Sequence, residues 1–185
     1  LQHGRILLDG KDVHQDAAAR AKMQVVFQDP YGSFNPRHKV GRLVGEPFFK
    51  LGRPASEGEI DEALVSVGLV AADKHKFIHE FSGGQRQRIA SARALIIRPE
   101  LIVLDEAVSA LDVSIRAQIL DLLADLSTRF GLTYLFITHD LSVVKVIADR
   151  VLVMQAGKIV EAGETAQIMA APHEAYTQAL MAAVP

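Results

Sequence analysis

The run Leu101-Ile-Val-Leu104 is apolar without interruption, and two acids, Asp105 and Glu106, follow it at once. A strand with no polar alternation must be covered on both faces, which is the situation of a strand inside a parallel sheet. The carboxyl end of such a strand delivers the next residues to the edge where open α/β sheets place their chemistry. This stretch therefore predicts an α/β domain, and the rest of the chain agrees. Met23 to Gln28 (M-Q-V-V-F-Q) and Tyr134 to Thr138 read as further strands, rich in β-branched and aromatic residues. Ile115, Ile119, Leu122, Leu123, Leu126 and Phe130 form one stripe of a helix over 113–130, which Gly131 ends.

Between the second and third of these features, residues 38–97 look helical. Ser56 and Glu59 fit a capping box, Ile60, Leu64 and Val67 recur at helical spacing, and Gly68 closes that helix. A later helix opens at Ser82 and stops before Pro99. Arg5 to Gly10 reads as a short strand and turn, and Leu141 to Ala148 as a helix. Val151–Met154 and Ile159–Glu161 read as a hairpin around Ala156-Gly157, and two short helices are separated by Pro172. The expected organisation is one α/β domain over 1–185. A helical subdomain occupies about 30–97, the α/β core about 1–29 and 98–163, and C-terminal helices 164–185.

Composition narrows the function classes. Of the 185 residues 49% are hydrophobic and 23% charged, which is globular rather than disordered. A net charge of −2 with no long basic run argues against nucleic acid as a partner. No cysteine is present, which excludes disulfides and thiolate-held metals. No apolar run reaches the ~18 residues of a membrane span. The best candidate, Val143 to Met154, is cut by Lys145, Asp149 and Arg150. Any link to a membrane is expected to run through a partner protein.

Five features carry chemistry. Ser82-Gly-Gly-Gln85 puts a good N-cap and two glycines on the first turn of a helix. The free N–H groups there suit an anion, and glycine lets it approach the backbone. The same residues also make an ordinary capping box. Asp105 is placed to hold a magnesium ion through water, and Glu106 to orient or deprotonate an attacking water. Both could equally be solvated acids after a strand. Asp112 either serves a site or only caps helix 113–130. His139 follows a strand directly and could bond a phosphate oxygen, or be structural. Gln28 ends a strand, where a neutral amide can touch a metal's water shell and a moving loop.

The ordered set is more telling than its members. Strand-Gln28, helical insertion, Ser82-Gly83-Gly84-Gln85, strand-Asp105-Glu106, Ser109-Ala-Leu-Asp112 and strand-His139 together resemble an ATP-binding-cassette (ABC) ATPase from about residue 4 to 163. The resemblance implies a P-loop NTPase (RecA-like) fold that binds ATP and Mg2+. Gln28 matches the Q-loop, Ser82 to Gln85 the signature, Asp105 and Glu106 the Walker B pair. Ser109 to Asp112 match the D-loop and His139 the switch histidine. It further implies that two ATPase subunits, alike or different, pair head to tail, so the glycines face a γ-phosphate held by the partner.

One expected part is missing. Gly4 to Lys11 approximates G-x-x-x-x-G-K-[ST], but five residues intervene and Asp12 replaces Ser/Thr, so the stretch reads as a strand and turn instead. With Leu1 first, the expectation is that the first strands, the P-loop helix and the adenine-stacking aromatic lie upstream. The chain alone should then bind ATP poorly and not hydrolyse it. Val26 to Arg37, Asp112 to Leu120 and His173 to Leu180 resemble peptide importers. That implies transmembrane permease subunits, an indirect link to an extracytoplasmic solute-binding protein, and a peripheral place on the cytoplasmic face of the inner membrane. Gln28 and residues 29–50 would then relay nucleotide state to the permease, or 29–50 would be a surface loop. Ala107-Val108 departs from the Pro-Thr of many relatives, with little effect expected. The competing expectations are a soluble ABC ATPase of repair or translation and a non-catalytic module offering only the signature face.

Overall fold

The computed structural model describes residues 4–29 and 32–183, in two compact units, Leu1–Ile137 and Thr138–Pro185. In the first unit, β1 (Leu7–Leu8) and β2 (Lys11–Asp12) form an antiparallel hairpin. Its turn residues Asp9 and Gly10 both have positive φ, 51° and 75°, which matches the twist of a tight two-residue hairpin. Helix α1 (Ala17–Ala21) follows, capped by the Asp16 carboxylate, which accepts from the Ala18 and Ala19 amides. Neither β2 nor α1 shows as an apolar pattern in the sequence.

The sheet comes next. β3 (Met23–Phe27), β4 (Leu101–Asp105) and β5 (Thr133–Ile137) run parallel with β4 in the middle. The register pairs Phe27 with Asp105 and Asp105 with Ile137. Gln28, Glu106 and Thr138 therefore leave the sheet at one edge. Within this sheet β5 pairs only with β4 among the described residues.

One face of the sheet is buried by Val26, Ile102 and Leu104. The other is not covered as the sequence suggested, because Val25, Phe27, Leu135 and Ile137 are all exposed apolar residues. The side chains of β4 alternate between buried and half-buried, so its apolar run does not mark two covered faces in this chain.

Between β3 and β4 lie α2 (Val40–Gly45), α3 (Pro47–Lys50), α4 (Glu57–Ser66) and α5 (Gly83–Leu95). Two short 3₁₀ turns, Ala71–His75 and Ile78–Glu80, interrupt what reads as a continuous helical region. Ser56 and Glu59 make the expected capping box on α4. Gly68 adopts φ 76° beyond its end, where the Leu69 amide donates to the Leu64 carbonyl.

Glu59 also accepts two bonds from Arg53, 3.0 and 2.6 Å. The Arg53 guanidinium first, then the Ser56 amide and hydroxyl, hold the Glu59 carboxyl at about 2. A lowered carboxylate stabilises the fold fully above its ordinary value of 4.5 and loses that contribution as pH falls toward about 2. Glu59→Gln should therefore melt below the parent near pH 6, with the gap closing toward about pH 2 in paired thermal melts. The gap is small, because the pair is partly in water.

Helix α6 (Val113–Phe130) links β4 to β5, and Gly131 ends it at φ 64°. Its buried stripe is Ile119, Leu120, Leu123 and Leu126, whereas Phe130 is exposed, since the helix end leaves the core at that point. Helix α5 packs against β3, α2, α4 and α6, so it is the centre of the first unit.

The second unit holds α7 (Leu141–Ile147), the hairpin β6 (Arg150–Gln155) and β7 (Lys158–Glu164), α8 (Thr165–Ala170) and α9 (Ala175–Ala182). The hairpin turns at Ala156-Gly157, as expected, with φ of 49° and 78°. Buried Glu161 accepts from the His173 and Glu174 amides at 2.8 and 3.4 Å, tying the start of α9 to β7.

Candidate functional site

Glu106 sits at the carboxyl end of β4 in the left-handed region, φ 49°. For a residue with a Cβ that conformation costs about 1–2 kcal/mol. Its surroundings hold it there. The Glu106 amide donates to the Ile137 carbonyl at 2.9 Å, and its carbonyl accepts from the Ser109 amide and hydroxyl at 3.1 and 2.8 Å. Asp9, Arg98 and Ala156 share this conformation, so what singles out Glu106 is its place at the carboxyl end of the central strand, where backbone strain is often tied to function.

Gln28 lies just past β3 and is exposed. Its Nε2 donates to Ser109 Oγ at 3.2 Å. The Ser109 hydroxyl thus joins residues 28 and 106 into one cluster beside Asp105, which is half-buried at the end of β4. The contact bridges residues 81 apart in sequence, which motif reading could not have found. Ala107 and Val108 are buried at 4% and 2%, so this pair acts by packing.

The first turns of α5 and α6 lie side by side. Ser82 is the N-cap of α5, and the full capping box is present: the Ser82 amide donates to Gln85 Oε1 at 3.0 Å, and the Gln85 amide to Ser82 Oγ at 3.4 Å. Asp112 caps α6 by accepting from the Ile115 amide at 2.9 Å. The two glycines differ. Gly83 is exposed, and a Cβ there would meet nothing within 4 Å. Gly84 is buried, and a Cβ there would lie 2.6 Å from Ile115 Cγ2. The second glycine thus sets the spacing of α5 on α6, a packing role beside the phosphate approach expected of both glycines.

His139 is exposed and belongs to the second unit, two residues beyond Ile137. Next to it, the Asp140 amide donates to Thr138 Oγ1 at 3.0 Å, and the Asp140 carboxylate caps α7. The stretch from Gly4 to Lys11 runs into the β1–β2 hairpin, and Lys11 begins strand β2 instead of opening a helix, so it is not a phosphate-cradling turn. Pro30 and Tyr31, part of the stretch resembling peptide importers, lie outside the described residues. No group of three or more His, Cys, Asp or Glu is gathered to hold a metal among the described residues. No described helix is long and apolar enough to cross a membrane.

A dipeptide transport ATP-binding protein, DppF of Escherichia coli, is 48% identical over 98% of the chain and 57% of its own length. An oligopeptide transport ATP-binding protein, OppF of Bacillus subtilis, is 45% identical over 98% and 63%. A peptidoglycan transport ATP-binding protein, YejF of Agrobacterium fabrum, is 51% identical over 89% and 31%. The chain thus spans between about a third and under two thirds of these relatives. Among solved structures, cbiO1 of Clostridium perfringens, described as part of the ABC transporter complex cbiONQ, superposes with a TM-score of 0.77. It is 30% identical, with 91% of this chain and 68% of that one covered. The family model for ABC transporters matches residues 1–109, more than half the chain, and the α/β fold agrees, so the chain belongs to the ABC transporter family.

Proposed function

We propose that this chain is part of the ATP-binding subunit of an ABC importer, coupling ATP hydrolysis to uptake of peptides or related small solutes. The observation that carries the reading is the strand-end cluster of Gln28, Ser109 and Glu106 beside Asp105, with Glu106 in a strained backbone. The names of the relatives supply the solute class.

In this reading Glu106 orients and deprotonates the attacking water, and His139 bonds a phosphate oxygen. Ser82, Gly83 and Gln85 present the amino end of α5 to a nucleotide on a second ATPase subunit, paired head to tail, with Asp112 beside them. Gly84 supports that surface from behind. One carboxylate, Asp105, and the Gln28 amide oxygen form a donor set that fits Mg2+ held mainly by phosphates and water, not a protein cage. That ion would neutralise phosphate charge. The subdomain over about 30–97 carries the signature and leads from Gln28 to the permease. The partners are transmembrane permease subunits at the cytoplasmic face of the membrane and, through them, a solute-binding protein.

The pattern G-x-x-x-x-G-K-[ST] does not occur in these 185 residues. The backbone cradle that this pattern supplies for a nucleotide's phosphates is therefore not among them, so the 185 residues alone should show no steady turnover. The test is to purify the tagged full-length protein from native membranes. Two integral membrane subunits should come with it, and ATP hydrolysis should rise when peptide-loaded binding protein is added. A soluble, permease-free protein whose turnover ignores peptides would overturn the proposal.

A further inference from the structure

Three arginines of α5 reach out to other segments. Arg88 Nη1 donates to the Val67 carbonyl at the end of α4, 2.7 Å, and Arg86 Nη2 to the His79 carbonyl at 3.5 Å. Arg93 reaches instead to the stretch that follows Gln28. Its Nη1 donates to the Ser33 carbonyl at 3.2 Å and its Nη2 to Ser33 Oγ at 3.1 Å. The guanidinium lies 4.6 Å from the ring centroid of Phe34, which is 5% exposed. Glu46, between α2 and α3, stands 3.7 Å away.

The Arg93 side chain is only 17% exposed. Burial draws its pKa below the ordinary value, and Glu46 opposes that shift. A buried cation has to be matched, and here two acceptors of Ser33 and the Phe34 face do so at close range, with the Glu46 carboxylate further off. Only a planar fork fits both at once: a lysine ammonium is a point charge that cannot span two oxygens while stacking.

Position gives the contact its consequence. Ser33 is five residues past Gln28, and Arg93 is ten residues along the helix that Ser82 caps, roughly 15 Å of rigid rise. We propose that Arg93 is a positioning residue that clamps the Ser33–Phe34 segment onto α5, so that a displacement of Gln28 moves the amino end of α5. The use of this clamp in nucleotide sensing rests on the function proposed above, whereas the clamp itself rests on these contacts alone.

The test uses the full-length protein with Arg93→Lys and, in reserve, Arg93→Met. Amide hydrogen exchange is followed over 32–38 and over 82–88, with far-ultraviolet dichroism to check folding. In Arg93→Lys, exchange should rise about tenfold in both segments while the middle of α4 keeps its protection. ATP turnover should fall about tenfold, with KM for ATP within about twofold, because the site is misaligned rather than unable to bind. Exchange that rises only over 32–38, or evenly across α2, α4 and α5, would overturn the inference, since the first means no transmission and the second general loosening. Should Arg93→Lys fail to fold, Arg93→Met, which keeps an unbranched apolar stem and removes every donor, decides: faster exchange at 82–88 supports the clamp, and unchanged exchange there refutes it. A wild-type protein without ATP turnover would count against the proposed function and leave the exchange result standing.

Discussion

Glu106→Gln in the full-length protein should lower ATP turnover by about two to four orders of magnitude and leave nucleotide affinity within a few-fold. The substitution is nearly isosteric, so it isolates the carboxylate. The backbone at 106 is held by the Ile137 carbonyl and by Ser109, through the amide and carbonyl of residue 106, which the substitution keeps. Glutamine can occupy the same left-handed conformation, φ 49°, at the same local cost. What disappears is the group able to accept a proton from water. Single-turnover hydrolysis and equilibrium nucleotide binding, measured side by side, separate the two effects. Turnover within threefold or so of the parent would remove Glu106 from the chemistry and with it the main assignment of the site.

Ser109→Ala is a useful companion because it keeps Glu106 and removes the hydroxyl that joins it to Gln28. If the strained backbone at 106 depends on that bond, the variant should resemble a partial loss of Glu106. The serine is a residue of the S-A-L-D stretch, yet its partner Gln28 could not be named from spacing, since the sheet register alone brings the two together.

The parts of the fold legible from residues are those with local causes. Ser56 and Glu59, Ser82 and Gln85, Asp112 and Gly131 each mark a helix boundary through chemistry confined to one turn, and each boundary falls where that chemistry puts it. Helix α1 escaped because Ala17–Ala21 has no apolar period to detect, only the Asp16 cap. The 3₁₀ turns after Gly68 each close with a local bond, the Val70 amide to the Asp73 carboxylate and the Phe77 amide to that of Glu80, and the first also packs on α4 and α2, so a run without helical caps in the sequence hid them.

The exposed face of β3 and β5 has a different origin. An apolar run predicts that something covers a strand, but not that the cover is supplied by these residues. For the site, strand ends were legible because a polar residue after an apolar run is conspicuous. Arg93 was not, although a cation among Ala90, Ser91, Ala92, Ala94 and Leu95, all buried, is a signal that it must be matched inside.

The two glycines of the signature turn should separate packing from function. At Gly84 a Cβ would sit 2.6 Å from Ile115 Cγ2. Ile115 is β-branched and on a helix, so its χ1 is nearly fixed and the methyl cannot swing away. Either the side chain leaves its rotamer or α5 shifts off α6, and overpacking of this kind costs about 1–3 kcal/mol. The better helix propensity of alanine offsets at most about 1 kcal/mol of that. Gly84→Ala should therefore lower the melting temperature, and Ile115→Ala in the same chain should recover part of the loss by making room.

At Gly83 nothing lies within 4 Å, and the backbone does not need positive φ. Gly83→Ala should leave stability unchanged or raise it by about 0.5–1 kcal/mol, chiefly by restricting the unfolded chain. Its cost appears elsewhere. A methyl group on the first turn holds a partner's phosphate away from the free amides, and a displacement near 1 Å at a reacting centre is worth on the order of a hundredfold in rate. Thermal melts and steady-state ATP turnover of the assembled full-length protein give the two readouts. A stable Gly83→Ala with parental turnover would show that no phosphate meets this turn, and α5 would then be a capped helix and nothing more.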